Sequence, residues 1–198
     1  MTYDSLKIFS VPYSLEEIKS DIHIFTNKTP SKSLCVEGWR KVNHSYSLVN
    51  QWQLLKLVDS QINLKHRDLA YFNENWNSKE NFSGLTSEQI KIINQIPSED
   101  NNNRYDVVYR ISYPLNISLS NSDRLFVYGS SEWGLTNDSF VGSSVEEACS
   151  RKNLKIITPS NWSKIGFLKA GFTEENMIVI PHGVEPSSFY KVDYKSRC

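Results

Sequence analysis

The sequence predicts an α/β protein built on a Rossmann-like, doubly wound and mostly parallel sheet. Two observations lead there. From residue 34 onward, short β-branched runs alternate with helical segments, the order that builds parallel sheets. The stretch 154–180 then packs a strand, a capped helix and a second strand into tight succession.

The elements can be taken in order. Residues 1–33 carry the weakest pattern and are expected to be an N-terminal extension. Within it, 7–11 has strand character, and 13–24 has a weak helical pattern opening at Ser14-Leu15-Glu16-Glu17 with capping-box spacing. Residues 34–39 read as the first core strand, followed by a polar loop from Arg40 to Ser47. A helix over about 47–59 follows, with Leu48, Trp52 and Leu55 at i, i+4 and i+7 as its buried stripe, widened by Val49 and Val58. Residues 67–72 are the expected second strand. Residues 73–84 are polar and irregular, with Trp76 resting on the surface.

Thr86-Ser87-Glu88-Gln89 opens a helix whose Ile90, Ile93 and Ile96 recur three apart, and Pro97 ends it. Residues 106–111 and 125–128 are strands, and Pro114 breaks the chain between them. Ser144-Val145-Glu146-Glu147 begins a short helix. Residues 155–158 form a strand stopped by Pro159, and Ser160 is placed to N-cap the helix over about 161–170. That helix is expected to turn Trp162, Ile165, Phe167 and Leu168 toward the core, with Gly171 as its left-handed C-cap. After the polar turn at Thr173-Glu174-Glu175-Asn176, residues 177–180 are a last strand. The Rossmann-like domain is therefore expected over 34–184, and 185–198 as the start of a linker.

Composition narrows the function. The chain has 198 residues, enough for one domain or one domain with an extension. It is 39% hydrophobic and carries 22 basic against 22 acidic residues, so no polyanion-binding surface and no nucleic-acid partner is expected. Its 5 Trp and 10 Tyr suit either a sugar-binding surface or an aromatic core and rim. Cys35, Cys149 and Cys198 are far apart and lack metal-ligand spacing, so no metal is expected, and Cys35 and Cys149 read as buried structural thiols in a reducing compartment. There is no N-terminal apolar run of signal-peptide length and no run near the ~20 residues of a membrane span. A cytoplasmic protein is expected. Asn-x-Ser/Thr triplets such as Asn27-Lys28-Thr29 are then chance.

In a doubly wound sheet, ligands bind beyond the carboxyl ends of the strands. The first such loop lacks Gly-x-Gly-x-x-Gly, so a nicotinamide-type site is not expected. A methyltransferase is disfavoured too, since it would need a Gly-rich first loop and an acidic end to the second strand.

Four motifs carry a family resemblance. Pro159-Ser160, Gly171 and then Ile180-Pro181-His182-Gly183-Val184-Glu185 with Phe189 resemble the end of the N-terminal domain of GT-B glycosyltransferases of the family 4 type. His44-Ser45-Tyr46-Ser47-Leu48-Val49-Asn50 is similar to the His-Ser-x-Ser-x-Val-Asn loop and helix start of some members. Arg110-Ile111-Ser112-Tyr113-Pro114 and Glu132-Trp133-Gly134 resemble the Arg-x-x-aromatic-Pro and Glu-aromatic-Gly of one branch. The likeness is patchy and covers about residues 34–190. Where many members carry a His after the strand, this chain has Ser130-Ser131-Glu132, which puts a His-based mechanism in doubt.

The resemblance implies an acceptor-binding half of an enzyme that transfers a sugar from a nucleotide-sugar donor to a glycan or glycosylated acceptor. It implies Glu132 and Arg110 as catalytic candidates, and His44, Ser45, Tyr46, Trp133, Gly134, His182 and Gly183 as substrate-binding candidates. His44 is read as a general base or an acceptor ligand, and Arg110 as an anion or hydroxyl ligand. No cofactor is expected beyond the nucleotide sugar, a donor substrate. The family's Glu-x7-Glu donor motif finds no convincing counterpart within residues 1–198. The C-terminal donor-binding domain is therefore expected on a longer chain or a separate subunit, and the chain alone is expected to be inactive. Peripheral membrane association belongs to the same set of expectations. The alternative is a non-catalytic carbohydrate-binding or scaffold subunit.

Overall fold

β-branched and aromatic runs make most of the strands, and hydroxyl caps start every helix but the first. In chain order the elements are β1 (Ser33–Gly38), α1 (Ser45–Val58), β2 (Asn63–Asp68), α2 (Ser87–Gln95), β3 (Tyr105–Ile111) and β4 (Leu115–Asn116). There follow β5 (Ser122–Tyr128), β6 (Phe140–Val141), α3 (Val145–Ser150), β7 (Leu154–Thr158), α4 (Asn161–Lys169) and β8 (Met177–Val179). This computed structural model describes residues 32–71, 73, 84–99, 103–132 and 134–184. The chain divides into two compact units, Met1–Ser31 and Lys32–Cys198, and every described residue belongs to the second. The expectations for residues 1–31, Trp76, Trp133 and 185–198 lie outside the described residues.

Six strands form one sheet in the order β2-β1-β3-β5-β7-β8, every neighbouring pair parallel. The chain steps from β1 outward to β2, then returns across β1 to β3 and runs on in that direction. The reversal lies between β1 and β3, where a doubly wound sheet opens a crevice at its carboxyl edge. The fold is thus the Rossmann-like α/β sheet that the strand–helix alternation predicts.

Both faces of the sheet are apolar. Val36, Tyr109, Ile111 and Tyr128 pack on one side with Leu54 of α1. Cys35, Val108, Val127, Leu154 and Ile156 pack on the other with Phe167 of α4 and Ala148 of α3. Each large apolar side chain buried this way contributes roughly 1.5–3 kcal/mol. Thr86 and Gln89 close the expected capping box on α2, Ser160 caps α4 by accepting from Ser163 N, and Gly171 follows α4 at φ 107.

Three expectations are corrected. The second strand is Asn63–Asp68 rather than 67–72. Its sequence, NLKHRD, hides a strand because its fully buried side chain is His66, which bonds to Asn50 instead of packing on carbon. The fully buried face of α1 is Ser47, Asn50, Gln51 and Leu54, rotated from the stripe of Leu48, Trp52 and Leu55. On α4, Trp162 and Ile165 are 63% and 49% exposed. That helix docks instead through Ser163, Gly166 and Phe167, because small residues let it approach the loop after β5. The two-residue strands β4 and β6 pair in parallel as a separate small sheet that no sequence pattern announced.

Candidate active site at the carboxyl edge

The loop from Trp39 to His44 leaves β1 at the carboxyl edge, and α1 holds it in place. Asn50 Nδ2 donates to Trp39 O at 3.0 Å and lies 3.0 Å from His66 Nε2; Gln51 Nε2 donates to Arg40 O at 2.7 Å. Arg40 in turn donates its Nε to Asp68 Oδ1 at 2.9 Å. Polar residues therefore occupy the buried face of α1 because they fix the backbone of the site loop. Two ionisable groups are shaped by this cluster. Burial pushes His66 below the usual histidine value, against the pull of Asp68. Burial pushes the Asp68 carboxyl up, but hydrogen bonds from Arg40 and His66 outweigh it and hold it well below the usual range.

His44 is the N-cap of α1, and its Nδ1 accepts from Tyr46 N at 3.2 Å. The proton of the neutral ring then sits on Nε2, so His44 offers a donor rather than a base. Burial also lowers its pKa. Tyr46 turns inward, and its hydroxyl accepts from Ser130 N at 3.2 Å. Burial raises the Tyr46 pKa, with Tyr113 and Glu132 close enough to add to it.

A continuous run of rings results. Trp39 meets His44 edge-on at 5.3 Å, His44 meets Tyr46 at 5.7 Å, and Tyr46 meets Tyr128 edge-on at 5.5 Å. Tyr128 stacks on His182 at 5.5 Å and 26°, and its hydroxyl lies 2.7 Å from His182 Nε2. His44, Tyr46 and His182, far apart in sequence, are thus brought together, with Ser45 exposed in the first turn of α1 and Gly183 exposed beside His182.

Glu132 is exposed on the loop after β5, and Gly134 is exposed two residues on at φ 113. This loop is fixed from below. Ser131 N donates to Ser163 Oγ at 2.7 Å, and Thr158 Oγ1 donates to the same oxygen at 2.6 Å. Gly166 lies so near that an added Cβ would fall 1.9 Å from Ser131 Oγ.

Arg110 stands apart from these groups. It is 6% exposed and lies on the sheet face opposite Tyr109 and Ile111. Its Nε donates to Glu37 Oε2 at 2.6 Å, and its other nitrogens donate to the carbonyls of Asn116, Ser118 and Leu119. Arg67 also pairs with Glu37. A cavity of about 80 Å³ lies over this cluster, and Arg67 also donates its Nε to the Glu99 backbone carbonyl at 3.4 Å. A larger groove of about 490 Å³ sits at the amino ends of β5 and β7, lined by Arg124, Phe126, Lys155 and Ile178. Neither cavity contains the ring run.

Tyr128, Ser131, Ser163 and Glu37 escaped the sequence reading. A tyrosine closing a central strand at the carboxyl edge was the available signal for Tyr128. A lone carboxylate in an apolar strand, which demands a cation, was the signal for Glu37. Among the described residues, no group of three or more His, Cys, Asp or Glu is placed to hold a metal ion, and no helix is long and apolar enough to cross a membrane. Comparison with family models, curated proteins and solved structures found no match to this chain.

Proposed function

We propose that this domain is the acceptor-binding half of a GT-B-type glycosyltransferase, and that its carboxyl edge binds a glycan or glycosylated acceptor. The observation that carries the reading is the ring run Trp39–His44–Tyr46–Tyr128–His182 at the edge where doubly wound sheets bind ligands. Trp39 and Tyr128 are buried and back the run, while His44 and Tyr46 are half-buried and His182 is exposed; flat faces with polar rims suit sugar rings, whose two sides are C–H surface and whose edges are hydroxyls. Glu132 would accept from, and orient, an acceptor hydroxyl. Arg110 enters as a positioning residue that ties β1, β3 and the loop before β5 together. The nucleotide-sugar donor would be held by a second domain or subunit, in the cytoplasm.

The test has two arms. Methyl hexopyranosides and disaccharides are titrated into the full chain and followed by tryptophan and tyrosine fluorescence. Saturable binding is expected, weakened about tenfold by Tyr46→Ala or Glu132→Gln, the size of a hydrogen bond to a charged group or a lost ring contact. Incubation with nucleotide sugars should give no turnover. Robust transfer by this chain alone would overturn the division of labour, and absence of any saccharide binding would overturn the site.

A further inference from the structure

The Tyr128–His182 contact joins the last residue of a central strand to the turn beyond β8. Tyr128 is 3% exposed, and among the described residues its hydroxyl has one hydrogen-bond partner, His182 Nε2 at 2.7 Å. Two arrangements fit that distance. If His182 carried its proton on Nε2 and donated, the tyrosine hydrogen would be left without an acceptor. An orphaned buried donor carries its full desolvation penalty. If Tyr128 donates, both groups use their stronger capacity: a phenol is the better donor, an imidazole nitrogen the better acceptor. Burial raises the Tyr128 pKa and lowers that of His182, so both stay neutral at pH 7. The proton of His182 then resides on Nδ1, and the ring itself is exposed.

We propose that Tyr128 is a positioning residue that locks His182 in the Nδ1–H tautomer, making His182 a dedicated hydrogen-bond donor to a sugar oxygen. The inference rests on the carbohydrate reading above and deepens it. The site then has complementary poles: Glu132 accepts from one hydroxyl, and His182 donates to another oxygen of the same ring or its neighbour. The stack on Tyr128 sets the plane of the imidazole, and the hydrogen bond sets which edge bears the proton. Neither is a property of His182 alone, which sits in a short exposed turn after β8.

The test uses the full chain labelled with nitrogen-15. Long-range proton–nitrogen correlations report the His182 tautomer without any ligand. Wild type should show Nδ1 protonated and Nε2 bare. Tyr128→Phe keeps a ring in the stack but removes the hydroxyl, so it should give an averaged tautomer mixture and a His182 titration moved upward. Binding of the methyl hexopyranosides should weaken about two- to tenfold in Tyr128→Phe, the range of one hydrogen bond. It should be lost in His182→Ala and largely restored in His182→Asn, whose amide places an N–H near the Nδ1 position. Nε2 protonated in wild type, or a tautomer unmoved by Tyr128→Phe, overturns the proposal whatever the sugar data show. A locked tautomer in a chain that binds no saccharide overturns the carbohydrate reading and, with it, the donor role, while leaving the lock itself standing. Amide spectra of each variant that overlay the wild type outside the site exclude misfolding as the cause.

Discussion

Replacing Gly166 with alanine tests how α4 holds the Glu132 loop. A Cβ at this position lies 1.9 Å from Ser131 Oγ and 2.5 Å from Ser131 Cβ. Rotating the serine side chain removes the first contact but leaves the second. Carbon atoms settle at about 3.5–4.0 Å, so helix and loop must part by about 1 Å. Overpacking costs roughly 1–3 kcal/mol, and so tight a contact belongs at the upper end. Alanine gains about 1 kcal/mol over glycine in helix propensity. The balance is a loss of about 2 kcal/mol, or a fall in Tm of about 4–8 °C in a domain of this size. Thermal melts by circular dichroism of wild type, Gly166→Ala, Ser131→Gly and the double variant check this. In the Ser131→Gly background both clashing atoms are gone, and the next nearest, the Cα of residue 131, lies 3.9 Å away. There the same alanine should be neutral or stabilising by up to about 1 kcal/mol. An equal loss in both backgrounds, or no loss in wild type, refutes the close approach.

Other outcomes follow from the buried charges. Arg110→Ala leaves Glu37 and three carbonyls with fewer donors, and breaking such a pair should cost about 3–5 kcal/mol in a urea melt. Arg110→Met, of similar volume, should cost less, and an Ala variant within 1 kcal/mol of wild type would show the pair to be idle. His66 has a folded pKa below its unfolded value, so its contribution is full above about pH 6.5 and is lost as pH falls from there toward the folded value. Tm should therefore decline as pH falls below about 6.5 in wild type, with the decline abolished in His66→Gln. Asp68 acts in a lower window: its carboxylate stabilises above about pH 4, and that is lost on further acidification through its depressed folded pKa. Asp68→Asn should flatten this second limb of the Tm–pH curve and deepen the first, because it removes the pull that partly holds the His66 pKa up.

The stretch from β7 to β8 was legible because each signal agreed with the next. A β-branched strand, a proline stop, a serine cap and a left-handed glycine all specify the same geometry. Legibility failed where the buried contacts are polar or absent. Asn50, Gln51 and His66 look like surface residues by composition, yet they are fully buried because they hold backbone carbonyls and one another. The docking face of α4 joins a serine and a glycine to Phe167, so hydrophobic periodicity places Phe167 correctly but strands Trp162 and Ile165 in the open. The ring run was half visible: His44, Tyr46 and His182 stood out in their motifs, whereas Tyr128 read only as the end of a strand. What joins them is the return across β1, a long-range step that local pattern does not encode.

The two hydroxyls beneath Ser131 have one more consequence. Thr158 and Ser163 are both almost fully buried, and the Ser131 amide ends its bond on that pair. The neighbouring Glu132 is open to water. Solvent deuterium should therefore enter the amides of this loop at very different speeds, with Ser131 retaining its hydrogen long after the exposed positions beside it have exchanged. That single slow amide would serve as a clock for the site: any ligand or substitution that lifts the loop from α4 would be timed by it, before binding or activity is measured at all.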